Sequence, residues 1–395
     1  MVNDSFTVKL LPHGTLGREL VITALSPLAS SPALGGTSLQ IGEEEATVIG
    51  QIYDLKQIFQ DVLQLLQIKS SLPKIKSHFN DRQVMSKILR KLKLRSDDSY
   101  VDYAAALCSW AVNDIGKNPE AWLHSLRTMN VSTKSINLGE PGLAFSGLQP
   151  LKIEKYKYGK QFGSLRTQMD IKMDERWVSL VAAGFFMSYS AFADGEIVLS
   201  IMPEEIVSKA SADMQWLQYI QRLTRSYGVY SPFQALLLLP YSLRVPPDHP
   251  HAYSLLLALE LAKIARQEGL SVRDAPPYIL YRIMYTGRSF SLLEKISINF
   301  SHFASFVDNL SDDTNKLLGR FLKCTITLSR WQSNSCSNTF GDAAVCNRLS
   351  RALYEAASGV RQPAETVYLL ARNSPDGSPL KQTKVLRDIY EALSA

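Results

Sequence analysis

The run Trp177-Val-Ser-Leu-Val-Ala-Ala-Gly-Phe-Phe-Met-Ser-Tyr-Ser-Ala-Phe-Ala-Asp-Gly-Glu-Ile-Val-Leu-Ser-Ile-Met-Pro-Glu-Glu205 holds the transition on which the fold class turns. Residues 177–193 form the longest apolar stretch of the chain, broken by three serines and one tyrosine. At 17 residues it falls short of the roughly 20 that span a bilayer, and it predicts a buried core helix. Residues 196–202 are rich in β-branched and apolar side chains and predict a strand. Pro203 followed by Glu204 and Glu205 announces a helix, because proline suits the first turn and acids suit its positive end. Upstream of this point strands, loops and helices alternate; downstream the chain reads as mostly helical. The expected class is therefore α+β, with a mixed domain of short strands and helices over residues 1–204 and a mostly α-helical bundle domain over residues 205–395.

Working upstream, residues 6–11 and 46–52 read as strands, separated by a loop containing Pro27, Pro32, Gly35 and Gly36. Helices are expected over residues 55–66, 82–95, 100–114 and 120–129. The segment 130–163 carries Gly139, Pro141, Gly142, Gly147, Pro150, Gly159 and Gly163, and reads as loops and short strands. Downstream, residues 252–268 form a strong helical pattern closed by Gly269. Further helices are expected over 312–328, 342–357, 363–372 and 379–393, the last two separated by the turn Asn373-Ser-Pro-Asp-Gly377.

The chain has 395 residues, 46% hydrophobic and 20% charged. That composition excludes a collagen, a coiled coil and a disordered tail, and it allows two to three domains. Four cysteines, Cys108, Cys324, Cys336 and Cys346, are too few and too scattered for a secreted disulfide scaffold. Residues 1–10 include Asn3, Asp4 and Lys9 and lack the apolar core of a secretory signal. A cytoplasmic protein with reduced thiols and no membrane segment is expected.

The positive charge is concentrated. Residues 69–95 hold Lys69, Lys74, Lys76, Arg82, Lys87, Arg90, Lys91, Lys93 and Arg95 against Asp81 alone. Residues 152–166 hold Lys152, Lys155, Lys157, Lys160 and Arg166 against Glu154, interleaved with Tyr156, Tyr158 and Phe162. The two stretches carry +8 and +4 in a chain of net +6, so the remainder is −6. This is the electrostatic footprint of a protein that grips a phosphate backbone. In the helix expected over 82–95, Val84, Met85, Ile88, Leu89 and Leu92 share an apolar face. The cations elsewhere on it read either as a solvated polar face or as a phosphate-binding one. Their uniform sign favours the second, since like charges at helical spacing repel. The Lys/Tyr interleaving of 152–166 suits backbone contact with ring stacking on a base, and equally suits a two-stranded hairpin.

Catalytic signals are poor, and no cofactor is expected. There is no Walker A loop and no Gly-x-Ser-x-Gly elbow. His249-Pro-His251 has the residue type for a metal but no acid or cysteine completes it. Cys336 and Cys346 are spaced unlike a zinc knuckle and read as free thiols. His13-Gly-Thr-Leu-Gly-Arg18 looks either like a turn approaching a phosphate or like a plain tight turn. Glu43–Glu45, Asp97-Asp98 and Asp312-Asp313 read as loop or helix-start acids.

Taken in order, several segments form a familiar layout. They are Leu10-Leu-Pro-His-Gly-Thr-Leu-Gly-Arg-Glu-Leu20, Leu151-Lys-Ile-Glu-Lys-Tyr-Lys-Tyr-Gly-Lys160, Trp177-Val-Ser-Leu-Val-Ala-Ala-Gly184, Leu199-Ser-Ile-Met-Pro-Glu204 and Tyr368-Leu-Leu-Ala-Arg372. In order and length the chain resembles the large subunit of archaeal type I-A CRISPR interference (Cascade) complexes. The resemblance implies a non-catalytic subunit that binds guide RNA and target DNA, helps read a short flanking motif and helps open the duplex. It implies partner subunits, among them a small helical one and a helicase-nuclease. No motif is sharp enough to carry individual family residues over. The competing readings are a helical adaptor that docks on an acidic protein and a metal-dependent nuclease.

Overall fold

The computed structural model describes residues 5–29, 36–69, 79–95, 99–132, 135–140, 143–144, 170–227, 229, 231–243, 245–285 and 290–395. The chain forms two compact units. The first comprises residues 1–218, 229–237 and 279–295; the second comprises residues 219–228, 238–278 and 296–395. The contact pattern thus places 205–218, 229–237 and 279–295 in the first unit, residues that the sequence groups with the helical half. The class is α+β, mostly helical, with small sheets.

The first unit is built on α6 (Glu175–Ser188), in which every residue from Trp177 to Ser188 is buried. A helix apolar all round has no solvent face to offer and belongs in a core. Around it pack α1 (Leu16–Leu25), α2 (Leu55–Ile68), α4 (Tyr100–Lys117) and α5 (Pro119–Arg127). The α1–α6 crossing is unusually close. A Cβ placed on Gly184 would lie 1.9 Å from the backbone oxygen of Leu20, so only glycine lets the two backbones touch.

Both ends of α6 are held by buried charged side chains. At its N-terminus Asp174 accepts hydrogen bonds from the backbone N–H of Arg176 (3.1 Å) and Trp177 (3.0 Å), from the Ser125 hydroxyl (2.6 Å) and from Glu140 N–H (3.2 Å). Burial raises its pKa, and those donors oppose the rise. At the C-terminus Lys69 Nζ donates to the carbonyls of Phe186 (3.1 Å), Met187 (3.1 Å) and Tyr189 (2.6 Å). An acid at the start and a lysine at the end both complement the helix dipole.

The expected helix over 177–193 ends five residues early. Residues 189–193 form β8 (Tyr189–Ala193), which turns through Asp194 (φ +51°) and Gly195 (φ +82°) into β9 (Glu196–Ile201). Two consecutive positive φ values are what a tight hairpin turn requires, and Asp-Gly supplies them. A second departure lies downstream, where two strands interrupt the region expected to be helical. They are β10 (Tyr278–Tyr285) and β11 (Phe290–Ile298), and they extend the sheet in the order β11-β10-β9-β8. Arg282 on β10 reaches across this sheet to the buried Glu196 (2.5 and 3.2 Å) and to Glu294 (3.0 Å). The N-terminal strands β1 (Ser5–Lys9), β2 (Ser38–Ile41) and β3 (Glu45–Ile49) form an antiparallel sheet with β3 in the middle. A third sheet has the order β4-β5-β7-β6, from β4 (Met129–Val131), β5 (Ser135–Leu138), β6 (Leu143–Ala144) and β7 (Asp170–Met173). Only the β5–β7 pairing in it is parallel.

Four further helices are α3 (Phe79–Lys91), α7 (Glu204–Ala212), α8 (Met214–Thr224) and α9 (Pro232–Leu243). The second unit is led by α10 (Pro250–Gln267), whose Leu/Ala face packs on α12 (Asp312–Arg330) and α14 (Ala343–Ala357). The short helices α11 (Ala304–Asn309) and α13 (Asn334–Phe340), then α15 (Pro363–Asn373) and α16 (Thr383–Ser394), complete it. Asp248 and Arg330 form a nearly buried, two-pronged ion pair. Cys324 on α12 and Cys336 on α13 form a disulfide, which corrects the expectation of a free thiol at Cys336; Cys346 is a buried free thiol. The 12-residue separation resembles no zinc site, but the turn between α12 and α13 folds the two cysteines to a Cα–Cα distance of 5.4 Å, within disulfide reach. Among the described residues no helix is long and apolar enough to cross a membrane.

Candidate nucleic-acid interface

The helix α3 seats Met85 and Ile88 in the core of the first unit, as its apolar periodicity predicts. The opposite face, with Gln83, Ser86, Lys87, Arg90 and Lys91, is exposed. The helix closes on a left-handed residue. Lys93 has φ +57°, its N–H bonds to Arg90 O (3.1 Å), and Leu94 N–H bonds to Leu89 O (2.8 Å). This paired closure satisfies orphan carbonyls of the last turn, usually around a glycine. Here a lysine takes the position, and its side chain is exposed, as is that of Arg95. Arg82 is half-buried.

The charges of this stretch divide by environment. Lys91 Nζ lies 2.6 Å from Glu175, in the first turn of α6. Among the described residues Lys87, Arg90, Lys93 and Arg95 form no ion pair. The helix dipole rewards Arg90 and Lys91, which lie in the last turn, but it does not reach Lys87. Lys69 is removed from the surface altogether. It is fully buried against the end of α6, and burial lowers its pKa to about 7. Counting it with the basic stretch is therefore a mistake of location: a lysine one residue past α2 is out of phase with the exposed face.

Lys74 and Lys76 lie outside the described residues, as do Lys152, Lys155, Tyr156, Lys157, Tyr158, Lys160 and Arg166. Their flanks are described. Ala144 ends β6 and Asp170 begins β7, and these strands are antiparallel neighbours at the edge of their sheet. The helix α3 packs beside β6. The two basic stretches, separated by more than fifty residues in sequence, thus have their anchors side by side.

The turn His13–Arg18 is a structural tie. Thr15 caps α1, accepting from Arg18 N–H (3.3 Å). The Arg18 guanidinium is buried and donates to Leu11 O (3.1 Å), Glu43 O (2.7 Å), Gly42 O (2.8 Å) and the Glu204 carboxylate (2.8 Å). His13 also meets Glu204, at 3.1 Å. Every face of the guanidinium is occupied from within, so the tight-turn reading of this segment holds. No signal in the sequence marks Arg18 as buried, since its partners are mostly backbone carbonyls. Among the described residues no three His, Cys, Asp or Glu side chains converge in a geometry that holds a metal ion.

No protein-family model matches the chain, and no match emerges among curated proteins or among solved structures.

Proposed function

We propose that the protein is a non-catalytic nucleic-acid-binding protein that holds a phosphate backbone on the outer face of α3. One observation carries the reading: four exposed cations, Lys87, Arg90, Lys93 and Arg95, have no acidic partner among the described residues and sit beside the strand that leads into the second basic stretch. A face built for stability alone would intersperse acids, because like charges at helical neighbour spacing cost free energy. Phosphates neutralise such a face and release their condensed counterions.

At finer grain the order of segments supports a large subunit of a type I-A CRISPR interference complex, with guide RNA and target DNA as ligands and other complex subunits as partners. The test is purification of the protein from its own host, with mass spectrometry of the bound proteins and sequencing of the bound nucleic acid. Short repeat-derived guide RNAs together with backbone-forming subunits are the expected recovery. Nucleic acid of other kinds would keep the binding reading and remove the CRISPR one. Acidic protein partners without nucleic acid would make α3 a protein-docking surface.

A further inference from the structure

A second cationic surface lies in the second unit, between α10 and α12. The two helices enclose a cleft of about 360 Å³, walled by Lys263, Arg266 and Gln267 from α10 and by Asp312, Asn315 and Lys316 from α12. Every lining side chain is polar. Arg320 follows Lys316 one turn along α12, about 6 Å further on the helix axis. Lys323, at the next step of that row, meets Glu260 on α10 at 3.1 Å, so the row runs alongside α10.

The acids near this row are engaged elsewhere. Glu260 stands one turn before Lys263 but is taken by Lys323. Asp312 and Asp313 stand one turn before Lys316, yet they meet Arg266 (2.7 Å) and Lys384 (3.9 Å). Lys263, Lys316 and Arg320 are left exposed, with no acidic partner among the described residues. Other cations of the second unit, Arg330, Arg361, Lys381 and Arg387, all have acidic partners. Three unmatched cations along one groove repel one another, and an anion relieves that repulsion.

The lining selects among anionic partners. A protein interface needs an apolar core, and this cleft has no apolar wall. It has no ring on which a base could stack. What it offers is positive charge spaced along a groove, the pattern that holds phosphates without regard to sequence.

We infer that this groove is a second contact surface for the phosphate backbone of a nucleic-acid strand, with Lys263 and Lys316 on one phosphate and Arg320 on the next. The inference rests on the reading that the protein binds nucleic acid, but not on α3 as the surface that does so.

The test is fluorescence anisotropy of the full chain with a labelled oligothymidylate, from about 50 to about 200 mM salt. The triple variant Lys263→Gln, Lys316→Gln, Arg320→Gln should lower the salt slope by up to about 2, since each lost contact to a single strand removes about 0.7. Over that range wild type then loses about 20-fold more affinity than the variant. The control triple Arg225→Gln, Arg273→Gln, Arg348→Gln removes the same charge from exposed positions of the second unit that do not line the groove; its slope should shift by less than about 0.5. Circular dichroism establishes the fold. Should the triple variant fail to fold, Lys316→Gln alone should lower the slope by about 0.7. A folded groove variant with the wild-type slope overturns the inference, as does an equal shift in the control, which would reflect net charge alone. A groove variant that keeps the strand but loses binding to polyglutamate also overturns it, making the groove a site for acidic protein. Neutralising Lys87, Arg90, Lys93 and Arg95 on α3 separates this inference from the proposed function. A slope that shifts with α3 but not with the groove defeats the inference alone; a slope that shifts with neither defeats both.

Discussion

Neutralising the outer face of α3 is the sharpest test of the proposed function. The structure says which residues to change and which to leave. Lys87→Gln, Arg90→Gln and Arg95→Gln remove exposed charges that contact no acid among the described residues. At Lys93, with φ +57°, glycine is the better replacement, because it adopts the left-handed conformation without strain. Each lost phosphate contact reduces the salt slope by about 0.7 for a single strand and about 0.9 for a duplex. Four contacts therefore set an upper limit of about 2.8 to 3.6 on the slope change. Between 50 and 200 mM salt that slope corresponds to about a 50- to 150-fold change in affinity, which the variant should no longer show. The assay is fluorescence anisotropy of a labelled single strand and a labelled duplex across that salt range, with circular dichroism to establish the fold. Lys91→Gln serves as control: its charge is already matched by Glu175 at 2.6 Å, so its slope should shift by less than about 0.5. A four-residue variant that stays folded and keeps the wild-type slope would refute the reasoning and remove α3 from the interface.

Three further outcomes follow from the first and second units. Gly184→Ala puts a methyl 1.9 Å from Leu20 O, so α1 and α6 must separate; a loss of about 3 kcal/mol or more in urea unfolding is expected, and a loss under about 1 kcal/mol would contradict the crossing. Asp61 on α2 is buried beside Gln57 (2.6 Å) and Gln234, and burial raises its pKa to about 6. The fold therefore favours the protonated form: the contribution to stability is full below about pH 4 and is lost as pH rises through about 6. Asp61→Asn should remove this dependence and stabilise the protein by up to about 3 kcal/mol at pH 7, read from denaturation midpoints at pH 5 and pH 7. The Cys324–Cys336 disulfide closes a short loop, and Cys336→Ser should cost about 3 kcal/mol by the loop-entropy relation, with identical midpoints for variant and wild type as the contrary result.

The parts of this fold that were legible in the sequence are those whose cause is local. The amphipathic periods of α2, α4, α12 and α14 give their positions directly, and Gly269 (φ +63°) closes α10 where a glycine was expected to end it. The strands β10 and β11 were missed although Tyr278-Ile-Leu-Tyr-Arg-Ile-Met-Tyr285 is rich in aromatic and β-branched residues. β9, the partner of β10, lies some eighty residues upstream, and an apolar run with only Arg282 to interrupt it shows no clean polar alternation to separate β10 from a helix. In the same way Asp194-Gly195 is a hairpin turn only if residues 189–193 are a strand, and their apolar character continues the helix before them. At the interface, exposure of Lys87, Arg90 and Lys91 followed from the period of α3. The nearness of β6, the burial of Lys69 and the Lys91–Glu175 pair depend on tertiary packing, which periodicity does not encode.

Location, more than count, gives the basic stretch its meaning. Two of its lysines act on the same helix: Lys69 takes the C-terminal carbonyls of α6, and Lys91 meets Glu175 in its first turn. Lys69 thereby anchors the end of α2 and Lys91 the last turn of α3, while the apolar period of α3, with Met85 and Ile88 buried, determines which of its faces points outward. Lys87, Arg90, Lys93 and Arg95 are exposed as a consequence. The two groups should therefore separate under charge reversal. Lys69→Glu sets a buried carboxylate against three carbonyl oxygens, a repulsion with nothing to relieve it, and should abolish folding. Reversal at 87, 90 and 95 leaves the core untouched, should alter stability by no more than about 0.5 kcal/mol per site, and should act on ligand binding alone.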